Sequence, residues 1–106
     1  MQINIGFSPC PNDTFIFYAL VHGKIDTAGI HFKPFLADVE KLNQLAVAAE
    51  LPVTKISYNA YLDLTASYAL LDSGGALGRD CGPLLIASEE RSVASLEGKK
   101  VAIPGE

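Results

Sequence analysis

Hydrophobic and polar residues alternate at the start of the chain, where Ile3 and Ile5 lie between polar neighbours. This period of two predicts a first strand over residues 3–7. The following run is apolar at nearly every position and predicts a helix from about residue 13 to residue 22, ended by Gly23. A helix that is apolar on all sides is normally buried between other elements, so we expect this one to be buried.

The same alternation of strand and helix patterns continues along the chain. Asp38 can cap a second helix whose apolar positions, from Val39 to Ala49, fall on one face. Lys41 stands where a capping box has Glu or Gln, so only a simple cap is predicted. Ser57 can cap a third helix. Further strands are predicted at residues 30–36, 52–56, 68–71 and 84–87, with a glycine-rich loop over residues 72–83.

This order predicts an α/β fold with a mostly parallel sheet flanked by helices. In such sheets ligands bind beyond the carboxyl ends of the strands. Three polar loops fall at those ends, at residues 8–14, 55–59 and 73–82. We therefore expect them to converge on a single cleft.

The last residues follow a different pattern. A charged connector at residues 89–91 and a polar turn at 95–100 precede a strand predicted at 101–105. We expect residues 1–90 to form one α/β lobe and residues 91–106 to be a connector and the first strand of a truncated second lobe. An unpaired apolar strand tends to pair with another chain, which predicts a homo-oligomer or a strand-swapped contact.

Composition restricts the class of protein. The 106 residues are 49% hydrophobic and 19% charged, which is typical of a globular chain. The net charge is −4 and the basic residues are scattered, so nucleic acid is not expected as a partner. We find neither a secretory signal nor an apolar run long enough to cross a membrane, and expect a cytoplasmic protein. Cys10 and Cys81 lie far apart, without metal-ligand spacing.

Two segments are candidates for ligand binding. Residues 8–14 join a strand to a helix N-terminus, which suits a polar or anionic ligand but is equally suited to a purely structural turn. Lys55 ends a predicted buried strand, where its ammonium can neutralise an acidic ligand, and Ser57 follows it. The alternative is an exposed lysine beside a structural cap. No Ser-His-Asp arrangement supports a nucleophilic role for Ser57.

The remaining candidates are weaker. Residues 73–79 are rich in glycine but match neither the Gly-Lys-Ser/Thr phosphate loop nor the GxGxxG spacing. His22 and His31 are the only histidines, and neither has a carboxylate or cysteine at ligand spacing. The chain therefore offers no obvious general base.

Five segments together resemble a known family. Residues 8–23 begin Ser-Pro-Cys-Pro-Asn-Asp-Thr and are similar to the N-terminus of the 1,4-dihydroxy-6-naphthoate synthases, which act in the futalosine route of menaquinone biosynthesis. The resemblance covers essentially the whole chain. Its other segments are residues 38–40, 51–58, 73–79 and 101–105.

The resemblance implies a two-lobed fold similar to type II periplasmic binding proteins, of which this chain is the first lobe and the start of the second. It implies lyase chemistry on cyclic dehypoxanthine futalosine, a small-molecule substrate, with no metal or organic cofactor. The family's histidine base and a pair of threonines would lie beyond Glu106, so no catalytic residue is expected here. Substrate contacts carry over to Lys55, Ile56 and Ser57, and cleft-lining positions to Ser8, Asn12, Gly75 and Ala76.

Two alternatives stay open at this point. The same fold serves solute-binding and sensing modules, which would hold a small carboxylate without chemistry. The related chorismate dehydratase is the other enzyme that the pattern suggests, although residues 8–14 favour the synthase. A downstream histidine facing Ser57 would favour an enzyme over a binding module.

Overall fold

A three-stranded parallel sheet organises the amino-terminal part of the chain, with strand order β2-β1-β3. The computed structural model describes residues 1–80, 82 and 84–103. The elements are β1 (Gln2–Phe7), α1 (Pro11–Val21), β2 (His31–Leu36), α2 (Val39–Val47), β3 (Val53–Thr54), α3 (Tyr58–Leu62) and a 3₁₀ helix (Val93–Leu96). The predicted α/β class with a parallel sheet is confirmed.

Strand β1 lies at the centre of the sheet and sets its register. Gln2 lies opposite His31 at one end of the β1–β2 pair, and Phe7 lies opposite Leu36 at the other. On the other side Ile5 lies opposite Val53. The outer strand β2 contains Pro34, which lacks an N–H group and is tolerated at the edge of a sheet.

The two faces of β1 pack against different helices, because successive side chains of a strand point to opposite faces. On one face the ring of Phe7 lies 4.7 Å from the ring of Phe17 in α1, measured between centroids. On the other face Gly6 lies against Leu42 of α2 and against Leu51. Leu42, Leu45 and Leu51 form the buried hydrophobic cluster of this second face.

Helix capping follows the predictions for α2 and α3. The Asp38 side chain accepts a hydrogen bond from the Lys41 N–H at 3.0 Å, and Ser57 Oγ accepts one from the Ala60 N–H at 3.1 Å. Helix α1 begins at Pro11, earlier than predicted, and its N-cap residue Cys10 makes no side-chain cap. Proline suits a first helical position because its φ is already helical and no N–H is lost.

The expectation that α1 is buried on all sides is wrong for the described part of the chain. Phe15 is 84% exposed and Tyr18 is 54% exposed, whereas Asp13 is buried. A three-stranded sheet covers only one side of a helix, and α1 turns its Asp13 and Phe17 side toward it.

The strands predicted at residues 68–71 and 84–87 are also wrong. Neither segment forms a strand, and Tyr68 instead donates a hydrogen bond from its hydroxyl to the Leu51 carbonyl oxygen at 2.7 Å. Residues 101–103 of the predicted last strand are likewise not in a strand, and residues 104–105 lie outside the described residues, as do Cys81 and Pro83. A strand requires a hydrogen-bonded partner, and apolar periodicity alone does not provide one.

None of the helices in the part of the chain that the structure describes has both the length and the apolarity needed to cross a membrane.

Gly6 lies where a side chain has no room. A Cβ added at Gly6 would lie 2.6 Å from Leu51 Cδ1 and 2.9 Å from both Leu42 Cδ2 and Thr54 Oγ1. We expect Gly6→Ala to destabilise the fold by about 1–3 kcal/mol through overpacking. Equilibrium urea unfolding measures this loss. Gly82→Ala is the matched control, because no described atom lies within 4 Å of its added Cβ; equal midpoints for the two variants would contradict the prediction.

Candidate functional site

The carboxyl ends of β1 and β3 are joined by an ion pair. Lys55 Nζ lies 2.6 Å from Asp13 Oδ1, and the Asp13 side chain is only 2% exposed, against 25% for Lys55. Asp13 belongs to the first turn of α1, which follows β1, and Lys55 directly follows β3. The backbone N–H of Lys55 also donates to the Gly6 carbonyl oxygen at 2.7 Å, which attaches Lys55 to β1. Asp13 belongs to α1, the helix that follows β1.

Ser8 completes the surroundings of the Asp13 carboxylate. Its hydroxyl donates to Asp13 Oδ2 at 2.7 Å and its backbone N–H donates to the same oxygen at 3.1 Å. The Cys10 N–H in turn donates to Ser8 Oγ at 3.4 Å. One carboxylate oxygen is therefore held by Lys55 and the other by Ser8, and the carboxylate ties the start of α1 to two strand ends.

The Asp13 carboxylate is ionised at neutral pH. Burial on its own raises the pKa of Asp13 by penalising the charged form. The hydrogen bonds from Lys55 and Ser8, together with the positive charge of Lys55, outweigh that penalty and bring the pKa below its ordinary value. The charge of Lys55 is thus balanced inside the protein. What Lys55 offers to a ligand is its remaining N–H donors, since an ammonium group has three.

Ile56 and Ser57 continue from Lys55 into α3. Ile56 is partly buried and packs against the hydrophobic cluster of Leu42, Leu45 and Leu51. The Ser57 N–H donates to Asn43 Oδ1 at 3.1 Å, which attaches the start of α3 to α2. The Ser57 hydroxyl acts as an acceptor in its cap, so the cap leaves the hydroxyl proton free to be donated to a ligand.

The glycine-rich loop lies against the starts of both α1 and α3. A Cβ added at Gly75 would lie 3.3 Å from the Tyr58 hydroxyl oxygen, and Gly74 lies against the Phe17 ring with φ at +85°. Asn12 and Ala76 share a shallow groove of about 600 Å³. Its other lining residues are Pro11, Phe15, Ile16, Leu77 and Gly78. The structure therefore brings the three polar loops to the same end of the sheet.

Two side chains in this arrangement were missed by reasoning from the sequence. Asp13 was considered only as one residue of the 8–14 segment, and Asn43 was not expected to act at all. For Asp13 a signal existed, because it is the one carboxylate in an apolar helix and Lys55 is a lone cation at the end of a predicted buried strand. For Asn43 we see no signal in the sequence.

Both histidines lie away from the ion pair. His22 is the C-cap of α1, at the opposite end from Asp13, and His31 is the first residue of β2. His31 lies opposite Gln2, five residues before Phe7, which corresponds to about 16 Å along the strand. Within residues 1–80, 82 and 84–103 no group of three His, Cys, Asp or Glu side chains is arranged to hold a metal ion.

Comparison with known proteins agrees with the resemblance of the sequence motifs. The profile of a family described as "Menaquinone biosynthesis" matches residues 3–106. The chain belongs to this family.

Two curated members of the family are similar over almost the whole chain. The 1,4-dihydroxy-6-naphtoate synthase of Thermus thermophilus is 52% identical over 103 residues, covering 97% of this chain and 37% of the relative. The enzyme of the same name from Streptomyces coelicolor is 45% identical over 104 residues, covering 98% of this chain and 36% of the relative. The chain thus spans little more than a third of the length of these relatives.

A solved structure shares part of the fold. A crystal structure of a protein from Archaeoglobus fulgidus matches 60% of this chain with a TM-score of 0.57 and 41% sequence identity. The match covers 24% of that protein. The small α/β arrangement is therefore shared with a larger protein.

The lowered pKa of Asp13 predicts how stability depends on pH. The unfolded chain protonates Asp13 near its ordinary pKa of about 3.9, whereas the folded chain does so only at lower pH. The stabilisation by the ionised carboxylate is therefore present above that ordinary pKa and is lost as the pH falls through the lower, folded-state pKa.

We expect this acid sensitivity to be weaker in Asp13→Asn, which has no carboxyl group to titrate. Urea midpoints measured between about pH 2 and pH 6 test this in the parent and the variant. Asp26→Asn is the control, because Asp26 is exposed in the turn before β2. Parallel curves for the parent and Asp13→Asn would contradict the prediction.

Proposed function

We propose that the chain forms part of a 1,4-dihydroxy-6-naphthoate synthase, a cytoplasmic carbon–carbon lyase that converts cyclic dehypoxanthine futalosine to 1,4-dihydroxy-6-naphthoate. The observation that carries the proposal is the identity of 52% and 45% with two curated synthases over 97% and 98% of the chain. These alignments leave out only a few residues, so they include the loops at the carboxyl end of the sheet.

In this proposal the protein has two lobes, as in type II periplasmic binding proteins. Residues 1–90 are the first lobe, and residues 91–106 lead into the second. Support comes from the length of the relatives, of which this chain spans little more than a third. Closure of two lobes over the substrate would exclude water from the reaction.

The first lobe binds substrate and does not supply the base. Lys55 directs its remaining N–H donors at a substrate carboxylate, and Ser57 donates its hydroxyl proton to a substrate oxygen. Ile56 fixes the segment between them through its packing against the hydrophobic cluster. His22 and His31 lie at the far ends of their elements, away from Lys55 and Ser57. In line with the family resemblance, the general base, which must be within hydrogen-bond reach, is a histidine from beyond Glu106.

The other predicted cleft positions also contribute to the proposed binding surface. Asn12 is exposed beside Ala76 in the shared groove and offers its amide to the ligand. Gly75 allows the loop to approach the Tyr58 hydroxyl. Ser8 is buried beneath the same edge through its bonds to Asp13.

A direct assay tests the proposed activity. We expect the full-length protein to convert cyclic dehypoxanthine futalosine to 1,4-dihydroxy-6-naphthoate. The reaction is measured by chromatography with mass detection. Residues 1–106 alone are expected to turn over at least about 10²–10⁴-fold more slowly, the usual contribution of a general base. Binding without turnover by the full-length protein would indicate a solute-binding module, and consumption of chorismate would indicate a dehydratase. Rapid turnover by residues 1–106 would contradict the position of the base.

The role of the Ser57 hydroxyl can be separated from its role as a cap. Ser57→Ala removes both, whereas Ser57→Asn keeps a capping oxygen and removes the hydroxyl. We expect both variants to raise KM about tenfold, the loss of one hydrogen bond to the substrate. Asp38→Ala, which removes only the cap of α2, is expected to leave KM unchanged. A normal KM in Ser57→Asn would show that Ser57 acts only as a cap.

A further inference from the structure

Both oxygens of the Asp13 carboxylate are contacted by other groups of the protein. Its two oxygens receive the Lys55 ammonium, the Ser8 hydroxyl and the Ser8 backbone N–H, at 2.6, 2.7 and 3.1 Å. At 2% exposure it has no surface left for a ligand. Its partners, however, are residues of the substrate-binding surface proposed above, so Asp13 acts on that surface through Lys55 and Ser8.

We propose that Asp13 is a positioning residue that holds Lys55 and Ser8 in the orientation in which the first lobe receives its substrate. This inference rests on the proposed function for its consequence in catalysis. Lysine has a flexible four-carbon side chain with many rotamers, and a short ion pair with a buried partner restricts it to few of them. With its charge already balanced by Asp13, Lys55 contributes oriented hydrogen bonds to the ligand and little net positive charge.

The Asp13 carboxylate also links the segment after β1 to the segment after β3. Ser8 follows β1 directly, and Lys55 follows β3. Because both bind the two oxygens of one carboxylate, a shift of either segment changes the position of the other. A small misplacement of a binding group can cost about 100-fold in rate, so the effect of losing Asp13 should be measurable in kinetics.

The test is a double-mutant cycle in the full-length protein, using Asp13→Asn, Lys55→Met and the double variant. Asp26→Asn makes the same chemical change at an exposed turn and is the control. Each variant is assayed with cyclic dehypoxanthine futalosine well below its own Tm, so that only folded protein is compared.

If Asp13 acts through Lys55, each single variant loses about 10–100-fold in kcat/KM, mainly through a higher KM. The double variant then loses no more than the worse single variant, because the two residues act as a unit. Asp26→Asn stays near the parent value. If a single variant does not fold, the double variant carries the test, since it removes both charges and leaves neither unpaired. A kcat/KM of the double variant equal to that of Asp26→Asn would then overturn the inference.

Two kinetic results would overturn the inference. One is a kcat/KM for Asp13→Asn that matches Asp26→Asn although its Tm is lower, which would mean a purely structural role. The other is a loss in the double variant equal to the product of the single losses, which would mean that Asp13 and Lys55 act independently.

Amide hydrogen exchange at Ser8 separates this inference from the proposed function. We expect the Ser8 N–H to exchange at least about tenfold faster in Asp13→Asn, because its acceptor Asp13 Oδ2 is changed. An inactive parent protein would overturn the proposed function, and faster exchange at Ser8 would then still support the link between the two segments. Unchanged exchange would overturn the positioning role whether or not the parent is active.

Discussion

The ion pair between Asp13 and Lys55 is the constraint on which the arrangement of the site depends. A carboxylate with 2% exposure stays ionised only if donors replace the water it has lost, and among the described residues these donors belong to Lys55 and Ser8. Separating either segment from α1 would leave a buried charge uncompensated, which typically costs about 3–5 kcal/mol. The loops after β1 and β3 are therefore coupled to each other by the ion pair. The described residues 74–78 of the glycine-rich loop lie against α1 and Tyr58 without an ion pair.

The ion pair also depends on the close approach of β1 to its neighbours. Gly6 lies opposite Thr54 in the parallel register, and its missing Cβ leaves room for Leu42 and Leu51 on that face. The Gly6 carbonyl oxygen then accepts the Lys55 N–H, which sets the backbone from which the lysine reaches Asp13. The packing of the second face and the electrostatics of the site are thus connected through one glycine.

Features fixed by local interactions were predicted well from the sequence, and features that depend on distant partners were not. Asp38 and Ser57 cap the helices expected of them, because a cap involves only residues within one helical turn. The strands predicted at residues 68–71 and 84–87 do not form. An apolar run shows that a segment is hydrophobic but not that another strand is available to pair with it. The role of Asp13 was missed because its partner Lys55 is distant in the sequence and only the folded sheet places the two side chains together.

The orientation of α1 satisfies the charge pair and leaves large apolar side chains exposed. Exposing a large apolar side chain forfeits about 1.5–3 kcal/mol relative to burying it, whereas an unpaired buried charge costs about 3–5 kcal/mol. Among the described residues, α1 buries Asp13, packs Phe17 on Phe7 and leaves Phe15 at the surface. With Asp13 turned inward at the third helical position, the preceding Asn12 faces outward beside Ala76. With Asp13 and Phe17 both facing the sheet, the first helical turn presents Asn12 to the groove beside Ala76.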